Sequence, residues 1–141
     1  MANQDDMPPI TPYLTVKGAD AAIAFYAKAF GATENSRLPA EDGKRLMHAD
    51  ISIYGGRVLM SDEFPEYGME DRAPATEHAS PVAVALHFKT PAEIDVAFKR
   101  AIDAGAKVVT EPADMFWGGR FAALSDPFNH RWLMHAPLPP K

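Results

Sequence analysis

The order of elements in the first half of the chain starts again in the second, and this internal repeat restricts the fold more than any other feature of the sequence. In residues 10–63, TPYLTV alternates as a half-buried strand, with Leu14 and Val16 on one side and Thr11, Tyr13 and Thr15 on the other. Asp20 is placed to cap a helix whose apolar stripe is Ile23, Phe25, Tyr26 and Phe30, and Gly31 to end it in the left-handed conformation. Residues 33–38, 46–54 and 57–62 then read as three strands, the last two joined at Gly55-Gly56. Residues 81–137 run through the same order. VAVALHF is a strand, and Thr90-Pro91-Ala92-Glu93 is a capping box with proline at the first helical position. The helix it opens carries Ile94, Val96, Ala97, Phe98, Ala101 and Ile102 and stops at Gly105, and strands follow at 107–110, 120–125 and 130–136. Gly31-Ala32 returns as Gly105-Ala106, and the same offset carries Tyr13 onto His87.

The expected fold is therefore α+β: two tandem βαβββ modules forming curved mixed sheets around a cleft that neither module makes alone. Residues 1–9 and 138–141 are expected as tails. The stretch 64–80 (FPEYGMEDRAPATEHAS) is acidic, rich in proline and alanine and without either period, which predicts a linker or lid. A chain of 141 residues with 47% hydrophobic content has the length of one domain, or of two small modules sharing a core.

Composition removes several classes of function. The formal charge is −5 and no Lys/Arg cluster occurs, which argues against a nucleic-acid surface. No apolar run approaches the roughly 20 residues that cross a bilayer, and the N-terminus lacks the basic flank and apolar block of a signal peptide, so a cytoplasmic protein is expected. With no cysteine, disulfides, thiol catalysis and cysteine-held metals are excluded, and a metal would need His, Asp or Glu. There is no Gly-x-Ser-x-Gly, His-Glu-x-x-His or phosphate loop.

Strand alternation proposes the site. It sends Met47, Ala49, Ile51 and Ile53 toward the helices and His48, Asp50, Ser52 and Tyr54 toward the cleft. The same rule is expected to bring Tyr13, Thr15, Met60, Asp62, His87, Arg131 and His135 to that cleft. An imidazole beside a carboxylate is general-base chemistry or a metal nest, which makes His48, Asp62 and His87 the candidate catalytic residues. Taken singly, each histidine also reads as a hydrogen-bonded sheet residue. In Phe116-Trp117-Gly118-Gly119-Arg120 two glycines let a backbone approach a ligand, and Trp with Arg suits a flat or anionic molecule, so Tyr13, Trp117, Arg120 and His135 are the candidate ligand-binding residues. The competing reading is structural: Phe116 and Trp117 in the core, a glycine bulge, and Arg120 paired with a surface carboxylate. Asp126-Pro127-Phe128-Asn129 predicts a β-turn, and Trp132 and Met134 are expected in the core. His78 falls in the linker and His130 in the turn, and neither is a candidate.

Two βαβββ modules with FYAKAFGA, MHADISIYGGRVLMSDE and FWGGRFAALSDPFNHRW resemble the vicinal oxygen chelate superfamily, in its PhnB-like glyoxalase/bleomycin-resistance branch, from about Ile10 to His135. Members of that superfamily include metal-dependent lyases, isomerases and dioxygenases, antibiotic-modifying transferases and proteins that only sequester a drug. Some of the branch carry a ubiquinone methyltransferase label, which no Gly-rich loop after a strand supports here. The resemblance implies metal ligands at Thr11, Met60, Ala83 and Leu133, and none of these offers the imidazole or carboxylate donor that a divalent ion requires. The residues thus favour a cleft that binds a small molecule without the standard metal. A metal-dependent lyase or dioxygenase with a shifted set, His48, Asp62, His87 and His135, is the alternative, with a divalent metal as its only foreseeable cofactor. The resemblance also implies a homodimer.

Overall fold

The structure is a computed structural model that describes residues 6–75 and 80–140. His78 lies outside the described residues. The chain divides into two compact units at Pro74. The first contains β1 (Tyr13–Val16), α1 (Ala19–Phe30), β2 (Thr33–Pro39), β3 (Leu46–Ile53) and β4 (Gly56–Asp62), followed by a 3-10 turn at Pro65–Tyr67. The second contains β5 (Ala83–His87), α2 (Pro91–Ala104), β6 (Lys107–Asp114), β7 (Gly119–Ser125) and β8 (Arg131–Pro137).

The sheet orders are β1-β4-β3-β2 and β5-β8-β7-β6, so the second unit repeats the first strand for strand. In each, the first and last strands of the module pair in parallel and the other pairs are antiparallel, which gives a mixed sheet. The tandem βαβββ expectation holds. The offset inferred from the glycines is off by a small step, because α2 has 14 residues and α1 has 12. Counted back from the helix starts, His87 corresponds to Thr15 rather than to Tyr13.

In the first unit, cross-strand partners share a face. Leu14 pairs with Met60, Met60 with Ala49 and Val58 with Ile51, and all are buried together with Ile23, Tyr26 and Phe30 of α1. In the second unit Leu86, Ala122, Leu124, Trp132, Met134 and Ala136 are buried beside Ile94, Ala97, Phe98 and Ala101 of α2. Val96, expected in that stripe, is exposed. No described helix is long and apolar enough to cross a membrane.

Several local expectations are met and several move. Gly31 and Gly105 end their helices, and Thr90 and Glu93 form the capping box, with the Thr90 N–H donating to Glu93 Oε1 at 3.1 Å. The Asp126 carboxylate holds its turn by accepting the Phe128 N–H at 2.8 Å and the His130 N–H at 3.0 Å, and Asn129 takes φ 69°. The β3–β4 hairpin turns one residue earlier than expected. Ile53 pairs with Gly56, so the two-residue loop is Tyr54-Gly55, at φ 46° and 81°, the positive pair a type I′ turn needs. The first strand begins at Tyr13 rather than Thr11. Helix α1 begins after Gly18, and Asp20 lies in its first turn instead of capping it. The cap comes from the end of β4: Asp62 Oδ1 accepts the N–H groups of Gly18 at 2.6 Å and Ala19 at 3.1 Å.

Candidate functional site

On the first unit, the face opposite α1 carries Tyr13 and Thr15 from β1, His48 from β3 and Ser61 from β4, the last paired with Thr15 in register. Where β1 and β4 end, Tyr13, Thr15, Met47, Ser61, Asp62, Phe64, Met69 and Asp71 line a recess of ≈ 400 Å³. The Tyr13 hydroxyl stands 3.0 Å from His48 Nδ1. Burial pushes the phenol above its usual range, a hydrogen bond with Ser61 opposes the shift and the Asp71 charge adds to it. Tyr13 is therefore a neutral phenol at ordinary pH, able to donate one hydrogen bond and accept another, rather than a phenolate nucleophile.

The apolar lining comes from an irregular strand start and from the segment after β4. Leu46 gives its N–H to Asp62 Oδ2 at 2.8 Å, and the β2–β3 register shifts between Leu38 and Pro39. Met47, expected against the helices, is 42% exposed there and lines the recess. Phe64 is held under Arg45, whose guanidinium lies 4.3 Å from the ring centre, donates to the Glu63 carbonyl at 2.9 Å and pairs with Asp42 and Glu66. On the same sheet face, Asp50 and Arg57 form a buried ion pair, with Arg57 Nε donating to Asp50 Oδ1 at 2.9 Å and Asn35 Nδ2 to the same oxygen at 3.1 Å.

On the second unit, the sheet face opposite α2 carries a ring cluster. His87 and His135 are paired across β5 and β8 with ring centres 5.7 Å apart, and Trp117 stacks on His135 at 5.3 Å. Phe121 meets the Trp117 edge at 6.3 Å. The stack covers Gly119, where a Cβ would fall 2.3 Å from Trp117 Cζ3 and 2.5 Å from His135 Nε2. Glycine here is a condition of the close approach, which is that of the protein's own Trp117 and His135 rings, where the sequence suggested the approach of a ligand.

The structure thus brings together Tyr13 with His48, and His87 with His135 and Trp117. It removes two candidates and two lining residues from these faces, one of them Tyr54, whose ring lies 6.0 Å from that of Phe30 in α1. Asp62 shares the face of Val16, its partner in register, is buried, and has both oxygens taken by the Gly18, Ala19 and Leu46 N–H groups. Met60 pairs with Leu14 and Ala49 on the helix side and is fully buried, where an outward place was expected. Arg120 pairs in register with Ala136 on the helix side, and its guanidinium bonds Asp95 of α2 and Asp114 at 2.8 Å each. This is the structural alternative stated for Arg120, with cross-strand register as the reason. Phe116 is 100% exposed and Trp117 50%, so neither is a core residue. Trp132 is fully buried as expected, its indole N–H donating to Asp126 Oδ2 at 2.9 Å.

Ser61, Met69, Asp71 and Phe64 were not anticipated as lining. Ser61 was recoverable: the hairpin sets Arg57 opposite Ser52, which puts Leu59 and Ser61 on the side of His48. Met69 and Asp71 lie in a segment with no period, and nothing in the sequence marks which of its side chains fold back. Among the described residues no three His, Asp or Glu side chains are grouped so as to hold a metal ion.

A repeated βαβββ unit with one polar sheet face in each half defines the class of protein, and sequence comparison agrees. The chain belongs to the Glyoxalase/Bleomycin resistance protein/Dioxygenase superfamily, whose profile matches residues 8–134. It is 40% identical over 132 residues to the uncharacterized protein Rv0887c of Mycobacterium tuberculosis, covering 93% of this chain and 75% of that one. Among solved structures it is similar to a glyoxalase/bleomycin resistance protein/dioxygenase from Nocardioides, at TM-score 0.71 and 24% identity, over 100% of this chain and 89% of that one. It is similar in fold to the PhnB protein of Bacillus cereus, at TM-score 0.68 and 19% identity, over 94% of this chain and 100% of that one.

Proposed function

We propose that this protein is a cytoplasmic, PhnB-like member of its superfamily that binds a small organic molecule, and does so without the metal site standard in the family. The observation that carries the reading is the recess of ≈ 400 Å³ on the first unit, with the Tyr13–His48 hydrogen bond set among methionine and aromatic side chains. Ligand pockets of roughly 300–1,000 Å³ with an apolar lining and a few placed polar groups are the usual form of a small-molecule site. Tyr13 and His48 orient the ligand by hydrogen bonds and Met47 and Met69 adapt to its shape. His87, His135 and Trp117 form the second recognition surface, where stacked rings grip a planar group.

The metal-free part rests on the donors. Thr11, Met60, Ala83 and Leu133 supply no imidazole or carboxylate, and of the shifted set Asp62 has its oxygens committed to backbone N–H groups. Protein purified without chelators is expected to carry no stoichiometric divalent metal and to melt at the same temperature with and without EDTA. A stoichiometric metal that His48→Ala abolishes would replace this reading with the metal-dependent lyase or dioxygenase. For the recess itself, native mass spectrometry is expected to show a copurifying small molecule whose retention drops in Tyr13→Phe. The proposal includes a homodimer in solution.

A further inference from the structure

We infer that the recess on the first unit selects planar aromatic cations and refuses anions. The inference rests on the reading of that recess as the binding site and adds the chemical class of its ligand. Its lining residues include two aspartates and neither lysine nor arginine. The two carboxylates differ in what they have left to give. Asp62 is occupied by three backbone N–H groups, from Gly18, Ala19 and Leu46. Asp71 is exposed, has no side-chain hydrogen bond or ion pair among the described residues, and its charge is felt at the Tyr13 phenol. Arg72, next in the chain, turns its guanidinium onto the Met69 and Asp71 carbonyls at 2.8 and 3.2 Å and is not part of the lining.

The apolar part of the lining points the same way. Tyr13, Met47 and Met69 are 50%, 42% and 48% exposed, three large apolar side chains standing open around one recess. A neutral phenol ring presents a negative π-face, and thioether sulfur is polarisable, so both gain most from a flat, electron-poor ring system. A delocalised positive charge on that ring system meets the Asp71 carboxylate at the rim. A sulfonate or phosphate meets the same carboxylate and no lining cation.

The test is a fluorescence titration of the full chain with two dyes of similar size, the planar cation thioflavin T and the anion 8-anilinonaphthalene-1-sulfonate. The expected result is that the cation binds at least about tenfold more tightly, that Asp71→Asn weakens it roughly threefold while leaving far-UV circular dichroism unchanged, and that Tyr13→Ala removes it. Equal binding of both dyes, each lost in Tyr13→Ala, overturns the charge selection and leaves the recess standing as the binding site. Anion binding lost in Arg72→Ala also overturns it, by placing a working cation at the rim. Cation binding that survives both Tyr13→Ala and Met69→Ala overturns the recess and the inference together, as does the absence of any dye binding.

Discussion

Asp62 shows how one side chain is read by parity and then settled by register. Its three N–H partners sit at the start of α1 and the start of β3, so it closes a helix end and a strand end at once. Replacing it by alanine leaves three donors without a partner, of which the Ala19 and Leu46 N–H groups are buried and cost about 1–3 kcal/mol each, partly recovered by water. Asp62→Ala is expected to lose about 3 kcal/mol of stability in urea unfolding, and an unchanged midpoint would show that the cap is dispensable. Asp50 makes a pH prediction. The hydrogen bonds from Arg57 hold its carboxyl below the usual range, burial opposes this, and Asn35 adds to the lowering. A depressed folded pKa contributes stability that is present above the unfolded value of about 4 and is lost as pH falls through the lower folded value. Stability is thus expected to decline as pH falls below about 4, and the Asp50→Asn/Arg57→Met double variant to flatten part of that slope in a urea series across pH. The sequence marked Asp50 and Asp62 alike as strand carboxylates. Only the pairing of β4 with β1 and β3 separates a helix cap from a buried ion pair, and pairing is not a local property.

At the scale of elements, what was legible was what is local. Periodicity located both helices, and the capping box at Thr90 and the turn at Asp126 lie within a few residues of the groups they satisfy. The start of α1 was not legible, because its cap arrives from a strand 43 residues further on. The β3–β4 turn was displaced because Tyr54 takes a positive φ that glycine would be expected to supply, while its ring packs 6.0 Å from that of Phe30. The β6–β7 hairpin gives a prediction of its own. Gly119→Ala drives a methyl group into Trp117 and His135, both ends of side chains that have somewhere to go. The expected cost in stability is below about 1 kcal/mol, whereas the emission of Trp117 and the ring signals of His135 should both shift as the stack opens. If the fluorescence and the His135 signals stay put, the rings are not stacked in solution.

At the scale of the whole molecule, the repeat was the surest part of the sequence, because two copies of a pattern support each other where one short pattern is ambiguous. It gave the order of elements along both units, though neither the order of strands within each sheet nor the side chains that fold over a sheet face from an aperiodic segment. Large apolar side chains remain open on both units: Tyr54 and Tyr67 on the first, Val96, Val108 and Phe116 on the second. The homodimer proposed above predicts a light-scattering mass near twice 15.4 kDa at micromolar concentration. A mass of one chain would refute it.

Asp62 borders the recess and at the same time ties α1 to the sheet. Under the proposed function, variation that retunes the recess passes through the rest of its lining, Tyr13, Thr15, Met47, Ser61, Phe64, Met69 and Asp71, because a change at Asp62 alters the fold first. In a lineage of such proteins, specificity is free to drift around that wall while one corner of it stays fixed by architecture.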